Sequence, residues 1–128
     1  MNKNNSGFSL VELIVVIAIM AILAGIAVPT YTKYIAQAND AAVLSELDAV
    51  KTAAIAAGAK ESVSITSISI KVADKSVKTN SATIDATDIN AFLDTEISSL
   101  DFSKTSYKDS TYVKWTSTSQ KWESSETE

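Results

Sequence analysis

Glu12 is the residue of this sequence whose position most demands a chemical explanation. It stands in Gly7-Phe8-Ser9-Leu10-Val11-Glu12-Leu13, at the head of an otherwise unbroken apolar run that reaches Val28. A run of ~20 apolar residues crosses a bilayer core as a helix. An acidic side chain well inside such a helix costs roughly 2.5 to 3.5 kcal/mol on insertion scales, so Glu12 needs a partner or a purpose.

Few other residues offer reactive chemistry. The 128-residue chain has no cysteine and no histidine, which removes Ser-His-Asp and Cys-His catalysis, most zinc sites and any histidine pH switch. No catalytic, cofactor-binding or metal-binding residue is expected, and the chain reads as a nonenzyme. Asp85, Asp88, Asp94, Glu96 and Asp101 carry oxygen donors suited to calcium, but no loop of alternating donors with a glycine contains them. Helix capping and a solvated face explain them more simply. Lys104, Lys108, Lys114 and Lys121 interleave with Tyr107, Tyr112, Trp115 and Trp122, a mixture that suits single-stranded nucleic acid or sugar rings. Nearby Asp101, Asp109 and Glu123 dilute that charge, and the two tryptophans fit better as a cross-strand core pair. With every basic residue a lysine and a net charge of -4, no nucleic-acid partner is expected.

The elements that position Glu12 follow from the hydropathy pattern. Residues 1–7 are polar and carry Lys3 as their only charged side chain, so the positive-inside bias holds this end in the cytoplasm. Residues 8–28 form a hydrophobic transmembrane helix, about 31 Å long at 1.5 Å per residue and close to one hydrocarbon thickness. Tyr31 and Tyr34 suit the far interface. Gly25 and Pro29 are weak points where a kink or partial melting is plausible. Over residues 29–58 the helix continues in amphipathic form, with an apolar stripe through Ile35, Ala38, Ala42, Leu47, Val50, Ala54 and Ala57, and Gly58 is placed to cap it. At about 75 Å the whole helix is too long for so small a head to bury.

Residues 59–128 then form a globular head. Its period changes to two, with Val63 and Ile65, a phase slip at Thr66-Ser67, and a strand through Ile68, Ile70 and Val72. Residues 75–83 read as a loop. Asp85 or Thr87 caps a short helix carrying Ile89, Phe92, Leu93 and Ile97. Residues 111–116 and 120–123 flank a hairpin turn at Ser117-Thr118-Ser119, and the tail from Glu123 is expected to fray. The fold class is α+β: a long N-terminal helix packed on a small antiparallel sheet.

Gly7 before a cut, Phe8 after it, Glu12 as fifth residue of the remainder, and Pro29 with Tyr31 and Tyr34 past the apolar run together resemble the type IV pilins, specifically a major pilin. The resemblance is close over residues 7–34 and architectural beyond. It implies that residues 1–7 are a leader, that a prepilin peptidase cleaves between Gly7 and Phe8, and that the new Phe8 amine is methylated. It also implies that Phe8, Glu12 and Pro29 serve assembly. Partners would be further copies of the chain, the peptidase, the pilus assembly machinery, and the cytoplasmic membrane before assembly; the product would be an extracellular filament for adhesion, motility or biofilm formation. Glu12, buried among packed helices, would meet the Phe8 amine of a neighbouring subunit. At ~4 Å and an effective dielectric of 20 that pair is worth about 4 kcal/mol of gross Coulomb energy, much of it offset by desolvation.

Two departures leave the head less defined: no cysteine pair can close a C-terminal loop, and Pro29 is the chain's only proline. Alternative readings are a type II secretion pseudopilin and a membrane-anchored adhesin or binding module that does not polymerise. A secretory signal peptide cut after Ala27 is disfavoured by Glu12. Phe8, Tyr31 and Tyr34 invite an electron-conduction role that packing and interface anchoring make unnecessary.

Overall fold

The computed structural model describes residues 7–128, so of the expected leader only Gly7 falls within it. The chain divides into two compact units, the first ending at Ile35 and the second running Ala36–Glu128. One helix, α1 (Leu10–Lys60), supplies residues to both.

In the first unit, the large apolar side chains from Phe8 to Ile35 are each at least 45% exposed. They occupy all faces of the helix, so no arrangement within this unit could bury them. Thr30 and Thr32 return their hydroxyls to the carbonyls of Ile26 and Pro29, both at 3.0 Å, which keeps two polar groups satisfied in an apolar setting. Pro29 lacks the N–H that would bond the Gly25 carbonyl. The helix nevertheless runs through both without interruption, so the partial melting considered for this stretch is not observed.

In the second unit, Val43, Leu47, Val50, Ala54 and Ala57 form the buried stripe, joined by Ala53 and Gly58. Its upper part differs from expectation, because Ile35, Ala38 and Ala42 are exposed. The alternating 4,3 spacing that includes Leu47 passes through Val43, and a shift of one residue turns a side chain about 100° around the helix.

Gly58 does not cap the helix. The cap is a Schellman motif with Ser62 in the left-handed region at φ 58°. The Val63 amide donates to the Gly58 carbonyl at 2.7 Å and the Ser62 amide to that of Ala59 at 3.2 Å, the paired bonds that define the motif. Gly58 is required for space instead: a Cβ there would lie 2.6 Å from the Val63 oxygen and 2.7 Å from Ile65 Cγ1.

The sheet is antiparallel throughout, in the order β2-β1-β3-β4, with β1 at Ser67–Lys71, β2 at Val77–Thr79, β3 at Tyr112–Thr116 and β4 at Trp122–Ser125. The phase slip at Thr66-Ser67 marks the start of β1. The loop expected over residues 75–83 contains β2, joined to β1 by a turn with Lys75 at φ 59°. Asn80 fixes this hairpin: its Oδ1 accepts from the Thr66 amide at 2.7 Å and its Nδ2 donates to the Ser64 carbonyl at 2.9 Å. Strand alternation sends Ile68, Ile70, Val77, Val113, Trp115 and Trp122 to one face, all of them buried in a single core with the α1 stripe.

The expected short helix is shorter still. α2 spans Ala86–Asn90, a separate 3-10 turn holds Ile97, and Phe92 is 48% exposed. The tail does not fray at Glu123, since β4 continues to Ser125.

Candidate functional site

The residues singled out by sequence lie at the start of α1. Gly7, Phe8 and Ser9 precede its first turn. Phe8 is 93% exposed. A Cβ on Gly7 would meet nothing within 4 Å, so nothing inside the described chain requires glycine there. Pro29 lies in the exposed stretch of α1.

Glu12 has a partner within its own chain. The Ser9 amide donates to Glu12 Oε2 at 2.8 Å, and the Glu12 amide donates to Ser9 Oγ at 3.3 Å. The Ser9 carbonyl accepts the first helical bond, from Leu13. This is a reciprocal capping box with Ser9 as N-cap and Glu12 three residues on. The same carboxylate sits favourably against the positive end of the helix. Sequence reasoning that treated Glu12 only as a membrane charge missed Ser9, although Ser-x-x-Glu before an apolar run is the signal for such a box.

Four of the five acidic residues considered for calcium, Asp85, Asp88, Glu96 and Asp101, make hydrogen bonds within the head. Asp85 caps α2 by accepting the amides of Thr87 and Asp88 at 2.7 and 3.2 Å, and Asp88 Oδ2 accepts the Asp85 amide. Those donors, the Asp88 amide first, hold the Asp85 carboxyl below its ordinary pKa. Asp101 accepts from Ser103, and Glu96 from the Ser98 hydroxyl. Among the described residues no group of three or more acidic residues is placed to hold a metal.

The aromatic residues weighed as a ligand surface go largely to the core. Trp115 and Trp122 face each other across β3 and β4 and are 4% and 7% exposed. Trp122 Nε1 donates to Asp48 Oδ1 at 3.2 Å. Lys51 Nζ reaches the same oxygen at 2.9 Å and lies 5.9 Å from the Trp115 ring centre. The Lys51 bond, opposed by desolvation and assisted by the Trp122 bond, lowers the Asp48 pKa. A second tie comes from Asp40, whose Oδ1 accepts the Ser106 amide at 2.7 Å and holds the loop before β3 to α1. Contacts this distant in sequence left no local signal.

The N-terminal segment therefore combines an exposed Gly-Phe step, a carboxylate in the first helical turn and a bare apolar surface after it. Residues 2–28 match the family model described as the prokaryotic N-terminal methylation motif. Known relatives include a fimbrial protein of Pseudomonas aeruginosa, 48% identical over 52 residues, 41% of this chain and 34% of the relative. A type IV major fimbrial protein FimA of Dichelobacter nodosus is 45% identical over 53 residues, 41% of this chain and 34% of the relative. The type IV major alpha-pilin of Moraxella bovis is 53% identical over 51 residues, 40% of this chain and 32% of the relative. The chain thus spans about a third of the length of these curated relatives. No solved structure matches it. Residues 2–28 thus carry the methylation motif, and the N-terminal two-fifths of the chain is similar to that of type IV fimbrial proteins.

Proposed function

We propose that this chain is the subunit of a surface filament: residues 1–7 are removed by a prepilin peptidase cutting between Gly7 and Phe8, the Phe8 amine is methylated, and mature subunits polymerise through α1. The observation that carries this reading is the exposure of each large apolar side chain from Phe8 to Ile35. At about 25 cal/mol per Å² of apolar surface, such a helix is not left in water, and no described part of its own unit covers it. Lipid before assembly and neighbouring copies of α1 after it supply the missing cover. The head contributes a folded surface and no catalytic group.

The local geometry supports the processing step. Gly7 and Phe8 lie before the helix, so the peptide between them is free of helical hydrogen bonds and open to an enzyme. Glycine at position 7 meets no internal requirement, which is consistent with selection by an external pocket.

Glu12 acquires two successive partners in this account. In the single chain its carboxylate is held by the Ser9 amide at 2.8 Å, which lowers the cost of keeping it in a membrane helix. In the filament the Phe8 amine of an adjacent subunit, created by the cut, supplies a full countercharge. A mismatched register would leave a buried carboxylate without that charge, so the pair specifies docking while apolar packing supplies affinity. Prepilin peptidase and the pilus assembly machinery are the further partners, with the cytoplasmic membrane as the store of subunits.

Mass spectrometry of material sheared from cells tests the proposal. N-methylated Phe8 at the start of the protein in long fibres is the expected result. A start at Val28, or an intact residue 1–7 leader in the fibres, overturns it.

A further inference from the structure

The sheet face turned away from the core carries a row that crosses all four strands: Lys78, Ser69, Lys114 and Glu123 stand directly opposite one another in the register. Over this row lies the end of the chain. Lys78 Nζ is 2.6 Å from Glu128 Oε2, Tyr112 Oη is 3.3 Å from Glu128 Oε1, and Lys114 Nζ donates to the Glu128 main-chain oxygen at 3.0 Å. β4 and β2 are separated by two intervening strands, about 14 Å at ~4.8 Å per step. Residues 126–128 therefore cross the outer face.

An odd burial accompanies that crossing. Ser69 is 6% exposed on what should be a solvated face, and its Oγ has no hydrogen-bond partner. The neighbours on either side of it, Lys78 and Lys114, are the ones Glu128 bridges. A hydroxyl covered but unsatisfied is costly, and the present occupant brings it no acceptor. The covering contact is itself weak, because the Lys78 and Glu128 side chains are 63% and 46% exposed and such ion pairs add little in water.

We propose that this outer face is a binding site for acidic peptide segments, closed in cis by the chain's own Glu128. Lys78 and Tyr112 read a side-chain carboxylate, Lys114 reads a main-chain oxygen, and Ser69 offers one more hydroxyl between the lysines. The present occupant, the carboxylate and a main-chain oxygen of one glutamate, is itself the pattern for an acidic peptide. This inference stands independently of filament assembly, since all four residues and their occupant lie in the second unit.

The test uses the full chain in neutral detergent micelles and a fluorescent peptide of residues 123–128, amidated at its C-terminus. Glu128→Ala, an exposed change, should tighten peptide binding by up to about fivefold relative to the parent by removing the competing contact. Added salt should weaken that binding. Lys78→Gln with Lys114→Gln in the Glu128→Ala background should abolish it, and Ser69→Ala should reduce it severalfold. Absence of binding to Glu128→Ala overturns the proposal, as does binding that survives loss of both lysines. Competition by polygalacturonate as strong as by unlabelled peptide would overturn the assignment to peptides.

Discussion

The two parts of α1 are both helical and both rich in apolar residues, yet they obtain their stability from different surroundings. From Leu10 to Ile35 the apolar residues encircle the helix and stay exposed, whereas from Val43 to Gly58 they form one stripe that is buried by the head. Residue size separates them too. The first part is dense in leucine, isoleucine and valine, while the second buries Ala53, Ala54, Ala57 and Gly58, small residues that let Ile65 and the chain after the helix approach closely. Large residues on every side suit a surface that meets other molecules; small residues on one side suit a surface that meets its own chain.

That contrast breaks most sharply under paired truncations. Leu47 is fully buried, so Leu47→Ala should cost the head about 3 to 5 kcal/mol, read as a lowered thermal midpoint of tryptophan fluorescence in micelles. Leu23→Ala, an equal truncation in the exposed part, should leave that midpoint unchanged and weaken assembly instead. If Leu23→Ala destabilises the head as much as Leu47→Ala, the separation of roles is wrong.

Gly58→Ala should come next, at about 1 to 3 kcal/mol, because the added carbon meets a main-chain oxygen and a packed isoleucine. The equivalent change at Gly25, where a Cβ meets nothing, should not disturb the head in the same assay. A smaller effect is expected from Asp85→Ala, which removes the α2 capping box for about 1 kcal/mol.

The smallest effect is the pH response. The Asp48 carboxyl is held below its ordinary value of 3.8 chiefly by Lys51, and Asp85 is lowered by its cap amides. Groups with depressed folded-state pKa values stabilise the fold above the unfolded value and lose that contribution as pH falls through the folded one. The thermal midpoint should therefore be flat above about pH 5 and decline below about pH 4. Asp48→Asn should soften the decline, while substitutions in residues 8–35 should leave it unaltered.

The long helix, the strand beginning at the phase slip and the Trp115–Trp122 pair were legible because each rests on a local period or a local turn. The upper part of the buried stripe was misplaced because alanines are abundant around the helix, and only contact with the head distinguishes Val43 from Ala42. Gly58 looked like a cap from its position, but the close approach of Val63 and Ile65 gives it a different reason to be glycine. β2 was hidden in a polar stretch whose only buried strand residue is Val77, with Asn80 pinning the hairpin from fourteen residues away. At the candidate site Gly7, Phe8 and Glu12 stood out by type and spacing. Ser9 was overlooked because its role depends on where the helix begins.

The claim at the centre of this account is that the exposed part of α1 docks on copies of itself in a register set by Glu12. The direct measurement is electron microscopy of sheared surface material from cells making Glu12→Ala, alongside confirmation that the variant is in the membrane and cut before Phe8. The account predicts normal insertion and cleavage with few or no fibres. Fibres as long and as abundant as those of the parent chain would contradict it.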